Sequence, residues 1–391
     1  MVEIEGTVEP RFAGVEEAFG RNFEEGAEVG AAVCVYHEGR RVVDLWGGLS
    51  EGETDRLWER GTISWMASAT KGLTAVAALL LVDRGVLDLD APIAEYWPEF
   101  AAEGKGRVTL RWLLSHRAGI AVLDAPISYE DELRHTPIAD AIAAQGPNWE
   151  PGTAHGYHAL TFGWAISEVI RRVTGRTVGR LFAEEIAAPL GLDLYIGLPD
   201  EEAERVATVV APTEEELWRG LSDPAFAEFN RALGDPSSLL YRATFGGTTL
   251  TFEDINDPRF FGAEDPAGGG FGDAASLARL YAALTSEVEG VRLLRPGTVE
   301  AARSVEASGR DLVLLLRTDF GLGFLLPGGP LWPDFGARAF GQPGATGCLG
   351  FADPDSGIAF GYVPNKMAGF VEGNDERVKS LIDTTYRSLG R

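Results

Sequence analysis

Ser68-Ala69-Thr70-Lys71 sets a serine hydroxyl and a lysine amine three residues apart, at the head of an apolar run, Gly72 to Val82. That run reads as a buried helix, and residues three apart on a helix share a face. A serine hydroxyl is a weak nucleophile until a base removes its proton, and a lysine packed beside it in a dry site serves that end. The chemistry implied is acyl transfer through a serine ester.

Two further segments fit that chemistry. Trp149-Glu150-Pro151-Gly152-Thr153-Ala154-His155-Gly156-Tyr157 ends in a tyrosine just before a helix expected over Ala159 to Val173. A phenol held near a lysine ammonium loses its proton more readily and becomes a usable general base. Gln342-Pro343-Gly344-Ala345-Thr346-Gly347 leads into Cys348-Leu349-Gly350-Phe351-Ala352. A strand edge flanked by glycines lets backbone N–H groups approach a substrate, the basis of an oxyanion hole. A rival motif, Gly48-Leu49-Ser50-Glu51-Gly52, fits G-x-S-x-G, but that elbow needs a helix directly after it. The polar stretch Glu53 to Trp58 follows instead, so Ser50 reads as a turn residue.

These segments need a scaffold. The amphipathic pattern of Phe12, Val15, Phe19 and Phe23 predicts a helix over Pro10 to Glu24. Ala31 to His37 and Arg41 to Trp46, joined at Glu38-Gly39, predict a β-hairpin. Helical pattern dominates from Ser68 to about Arg303, and the acidic, aromatic segment from Ala211 to Gly270 reads as a lid or pocket wall, with Trp218 to Phe261 shaping the pocket. Strand-like runs return at Asp311 to Leu316, Phe320 to Leu326, Ala345 to Ala352 and Gly357 to Val363, before a closing helix over Asp375 to Leu389. The layout is α+β: a mainly antiparallel sheet from the two termini (1–66 and 305–391), with a mostly helical region (67–304) inserted, forming a single unit.

Composition narrows the partners. A net charge of −25 disfavours nucleic acid and anionic membrane, which would both repel the chain. The longest apolar run is too short to span a bilayer, and Met1 to Gly6 lacks the features of an export signal, so the cytoplasm is the expected location. Cys34 and Cys348 are too few for a disulfide framework and read as core thiols. No metal-ligand spacing or cofactor motif is expected, and oligomeric state is left open.

In this order and spacing the motifs resemble the serine β-lactamase and penicillin-binding-protein superfamily, and within it the class C-like family VIII carboxylesterases. The resemblance extends to Trp46-Gly47-Gly48, Leu113-Leu114-Ser115-His116-Arg117-Ala118-Gly119 and Gly350-Phe351-Ala352-Asp353-Pro354. It implies Ser68 as nucleophile, Lys71 and Tyr157 sharing the proton transfers, and the N–H groups of Ser68 and Ala345 as oxyanion donors. Which of Lys71 and Tyr157 is the acylation base stays open.

Departures from the pattern bear on substrate. His158 and Ala159 follow Tyr157, where β-lactamases carry Y-x-N, and Gln342 stands where K-T-G begins with a cation. Both losses point away from β-lactams and toward a small neutral ester, with Gln342, Gly344, His158 and Trp65 expected to contact it. His155 reads as a pocket or supporting residue and His116 as a loop residue that aids packing. A β-lactamase or D-alanyl peptidase, an acyltransferase and a non-catalytic scaffold are the alternatives.

Overall fold

The computed structural model describes residues 2–214, 216, 224–246, 248–249, 251–332, 336–367 and 375–390. Residues alternating between two apolar faces build its centre, an antiparallel sheet of ten strands. The strands are β1 (Ile4–Val8), β2 (Gly30–His37), β3 (Arg40–Glu51), β4 (Arg56–Leu57), β8 (Ala307–Arg310), β9 (Arg317–Phe320), β10 (Leu325–Leu326), β11 (Phe340–Pro343), β12 (Leu349–Asp353) and β13 (Ile358–Pro364). Three more, β5 (Ser64–Trp65), β6 (Leu194–Ile196) and β7 (Gly270–Gly272), form a separate small sheet. In the large sheet the order is β1-β3-β2-β13-β12-β11-β10-β9-β8, with β4 paired to β3. The junction of the two termini is β2 against β13, where Cys34 faces Gly361 and Tyr36 faces Ala359.

Period-2 alternation sends successive side chains to opposite sides. Val33, Val35, Phe351, Phe360 and Tyr362 join one core, while Cys34, Tyr36, Ala352 and Ala359 join the other. Among the described residues five helices have twelve residues or more: α1 (Ala13–Glu24), α2 (Thr70–Asp83), α3 (Thr161–Thr174), α4 (Ala274–Thr285) and α5 (Glu376–Ser388). α1 and α5 pack together over the first core, through Val15, Phe19, Leu381 and Ile382. α4 packs on the other face, against β2, β12 and β13. Glycine is required for that approach: a Cβ on Gly361 would lie 2.3 Å from the Ala274 carbonyl oxygen, and one on Gly350 2.4 Å from the Tyr281 ring.

Several expectations are corrected. Asp311 to Leu316 is a turn between β8 and β9, because the Asp311 carboxylate accepts the N–H groups of Val313 and Leu314, both at 2.8 Å. Those amides are thereby lost to a ladder. The run from Phe320 to Leu326 is broken by a bend at Gly321–Phe324, and β12 starts at Leu349 because Gly344 and Cys348 close a turn containing Ala345. Two short strands, β6 and β7, arise within residues 67–304. Ser50 lies near the end of β3, not in a turn. Cys34 and Cys348 are buried free thiols. Among the described residues no helix is long and apolar enough to cross a membrane.

Candidate active site

Ser68 sits in a single 3-10 turn, Ala67–Ala69, that runs into α2. The residue before it, Ala67, has φ +46°, a left-handed conformation that L-residues rarely adopt. Thr70 stabilises this bend by donating to the Ala67 carbonyl at 2.6 Å, while its hydroxyl oxygen accepts the Gly270 N–H at 2.8 Å. β5 pairs with β7 just upstream, and the Met66 N–H donates to the Gly270 carbonyl at 2.8 Å. The Ser68 turn is thereby tied to the loop at 265–270.

Lys71, the second residue of α2 and one turn after Ser68, is buried. Its Nζ donates to the Ser68 hydroxyl oxygen at 3.3 Å and to the Ala267 carbonyl at 2.8 Å, and it lies 5.0 Å from the centre of the Tyr157 ring. The three residues singled out in the sequence are thus brought together. Tyr157 is buried, stacks on Phe320 at 6.3 Å, and is held through its backbone N–H by Asp311 at 3.1 Å. Burial pushes the Asp311 carboxyl above its ordinary range, against the opposing pull of the Leu314, Tyr157 and Val313 N–H groups.

Ser68, Lys71, Tyr157, Trp65, Gln342 and Ala345 line one cavity of about 300 Å³. Apolar side chains make most of its wall, among them Leu160, Phe229, Leu240, Phe260, Phe320 and Leu325. The described part of the segment from Ala211 to Gly270 supplies a large share of that wall, whereas Trp218 lies outside the described residues. Trp65 is positioned by its indole N–H, which donates to the Gly268 carbonyl at 2.6 Å. Gln342 is buried, and its amide nitrogen donates to the Pro343 carbonyl at 3.3 Å. Gly344 does not line the cavity; it permits close approach, since a Cβ there would lie 2.2 Å from the Met66 carbonyl oxygen and 3.2 Å from the Ala69 nitrogen. The turn carrying Ala345 can therefore press against the Ser68 turn.

His158 is placed differently from the expectation. It is buried and absent from the cavity wall, which Ala159 and Leu160 reach instead. Its Nδ1 bonds the Gly156 carbonyl at 2.7 Å, and its Nε2 accepts the Ile120 N–H at 3.1 Å. This pairing demands a neutral ring, and burial lowers its pKa to about 4. His116 Nδ1 accepts the His158 N–H at 3.1 Å, and burial pulls that ring well below the usual histidine range too. His155, which also does not line the cavity, shares a hydrogen bond of 3.0 Å with Thr318. The histidines therefore support the tyrosine segment from behind. Ser50 is 1% exposed and bonded to Arg56, whose Nε donates to it at 2.8 Å. It has no access to a substrate.

The sequence placed the loop Asp265-Pro266-Ala267-Gly268 only within the pocket-wall segment Ala211 to Gly270 and missed its contact with Lys71, although the following glycines, Gly269 and Gly270, were a visible signal of close packing. A Cβ on Gly163 of α3 would lie 2.4 Å from Pro266. Thr74 donates to the Pro266 carbonyl at 2.7 Å, one turn after Lys71. Among the described residues no group of three His, Cys, Asp or Glu side chains gathers as a metal site.

The amino-acid sequence that builds this site matches a family model, Beta-lactamase, over residues 15–382. The chain belongs to the Beta-lactamase family. Within that family it is similar to Esterase/beta-lactamase LipL of Mycobacterium tuberculosis, at 34% identity over 93% of this chain and 83% of the relative. The crystal structure of a family VIII carboxylesterase superposes with a TM-score of 0.88 at 37% identity, covering 99% of this chain and 100% of that one. A penicillin-binding protein homolog from Caulobacter crescentus superposes at 0.87 with 35% identity, over 99% of this chain and 100% of that one. The α+β fold with its antiparallel sheet is that of these Beta-lactamase family neighbours.

Proposed function

We propose that this chain is a serine carboxylesterase that works through an acyl-enzyme on Ser68. The observation that carries the reading is the contact of Lys71 Nζ with the Ser68 hydroxyl at 3.3 Å, on the wall of a mostly apolar cavity. Ser68 Oγ attacks the ester carbonyl, and its proton passes to the Lys71/Tyr157 pair. The N–H groups of Ser68 and Ala345 stabilise the oxyanion, and the alcohol leaves with the proton. Water then attacks the acyl-enzyme with the same pair as base, freeing the acid and restoring Ser68.

Gln342 in place of a cation, together with the apolar wall, supports an ester over a substrate recognised by its carboxylate. That absence of an anchoring cation weighs against the β-lactamase and D-alanyl peptidase alternatives. The sheet region and the helical region act as a single unit, since Ser68, Tyr157 and Ala345 come from both.

The test is intact-protein mass spectrometry after fluorophosphonate treatment of wild type and Ser68→Ala, with p-nitrophenyl butyrate hydrolysis alongside. The expected result is one adduct and ester turnover, both lost in the variant. Turnover that survives Ser68→Ala rules the reading out.

A further inference from the structure

Two carboxyls interrupt the apolar cavity wall: Glu132, at the end of the short helix Tyr129–Glu132, and Asp265. Asp265 is satisfied, because its Oδ1 accepts the Ala267 N–H at 2.8 Å and the Gly268 N–H also bonds the carboxyl. Glu132 is not. It is 6% exposed, its Oε1 accepts the Thr248 hydroxyl at 3.2 Å, and its Oε2 is buried with no hydrogen-bond partner among the described residues. A buried carboxyl oxygen without a partner is costly, and an apolar side chain would fill the same wall at no such cost. Oε2 is turned away from the cavity that the side chain lines, and a small rotation of the carboxyl presents it to a ligand group as the missing partner.

The electrostatics select the sign of that group. Burial first, then the charge of Asp265, with Asp131 adding a little, push Glu132 up to about 8; the Thr248 hydroxyl opposes them. Lys71 acts on Asp265 as a neighbouring positive charge. Burial, the larger cause, disfavours a lone carboxylate, and a paired cation relieves it as a proton does; the charge of Asp265 adds an attraction for that cation.

We propose that Glu132 recognises a primary ammonium group carried by the substrate, seated in the cavity with its hydrocarbon against the apolar wall. The word substrate rests on the esterase reading; the binding does not. When the ammonium enters, Glu132 releases its proton to solvent and its carboxylate accepts the ammonium N–H. No other bond changes.

Isothermal titration calorimetry of n-hexylamine and 1-hexanol into the full chain near neutral pH tests this without turnover. Two buffers of different ionisation enthalpy report the proton. Wild type is expected to bind the amine at least about tenfold more tightly than the alcohol, the scale of one charge-assisted hydrogen bond. Its apparent enthalpy is expected to shift between buffers in the sense of proton release. Glu132→Gln is expected to cancel both the preference and the release. Equal affinity for the two ligands, no binding of the amine, or proton release that persists in the variant would each overturn the proposal. The comparison of ligands in wild type stands even if the variant does not fold. Failure of the esterase reading would appear separately, as no Ser68 adduct and no ester hydrolysis.

Discussion

Lys71 Nζ is closer to the Ala267 carbonyl oxygen, at 2.8 Å, than to the Ser68 hydroxyl oxygen, at 3.3 Å. A backbone acceptor on the 265–270 loop thus aims the amine at the Ser68 hydroxyl. The position suits a single compact nitrogen on a flexible stem and not a planar fork, which needs more room than this buried site offers. Lys71→Arg is therefore expected to lose turnover nearly as fully as Lys71→Met, each by about 10²–10⁴ in kcat, the usual contribution of a positioned base. Steady-state kinetics of p-nitrophenyl butyrate hydrolysis, on variants checked for a native melting transition, decides it. Rescue by Arg would show that charge alone suffices.

Thr70 joins the strained Ala67 to the loop that holds Lys71, through hydrogen bonds of 2.6 and 2.8 Å. Thr70→Val keeps the shape but takes the hydroxyl acceptor from the buried Gly270 N–H, at about 1–3 kcal/mol, while the Ala67 carbonyl keeps only the Thr70 backbone N–H. Lower unfolding free energy together with lower kcat is expected. Thr70→Ser, which keeps the hydroxyl, is expected to recover most of both. Urea melts and kcat on the pair separate this from a simple packing effect.

Gly344→Ala would set a methyl 2.2 Å from the Met66 carbonyl oxygen, so the turn bearing Ala345 has to retreat from Ser68. Loss of one oxyanion donor costs about 10²–10³ in kcat. A fall of that size with the fluorophosphonate adduct still forming slowly is the expected outcome. Unchanged kcat would remove Ala345 from the proposed oxyanion site.

His158 links stability to acid. Its folded pKa of about 4 lies below the ordinary 6.5, so between those values the unfolded chain binds more protons than the folded one. Stability supplied by the neutral ring is complete above about pH 6.5 and is lost as pH falls through 4. At about 1.4 kcal/mol per pKa unit, wild type is expected to lose roughly 3 kcal/mol over that window relative to His158→Gln, which does not titrate. Chemical denaturation of both proteins at several pH values measures the difference. Parallel curves would contradict it.

Ser50→Ala is expected to keep ester turnover and the phosphonate adduct, because the hydroxyl is buried against Arg56 and Leu57. Its cost is expected in stability, about 1 kcal/mol, from the lost hydrogen bonds. A denaturation midpoint alongside the activity assay checks both halves.

The juxtaposition of Ser68 with its neighbours was legible because their signals are local. Ser68 and Lys71 share a helical spacing, Tyr157 follows a Pro-Gly turn, and Gly344 marks a close approach. The hairpin of Ala31 to His37 with Arg41 to Trp46 and the closing helix were legible for the same reason, as short-period apolar patterns, whereas the extension of β3 to Glu51 was not. Asp311 to Leu316 misled because a run of leucines looks like a strand; nothing in the run itself reveals that the Asp311 carboxylate captures its amides.

Amino-acid order alone determined the chemistry on offer: a serine with a lysine beside it, a tyrosine after a turn, and a glycine-backed edge. It also determined that both termini contribute strands, since periodicity is a property of neighbours along the chain. Tertiary structure alone decided which groups meet. It turned His158 away from the cavity by engaging both its ring nitrogens, placed Ala267 to hold Lys71 from 196 residues away, and left a Glu132 oxygen buried without a partner on the cavity wall. Such contacts depend on burial and on hydrogen-bond partners distant in the chain, and no local pattern encodes them.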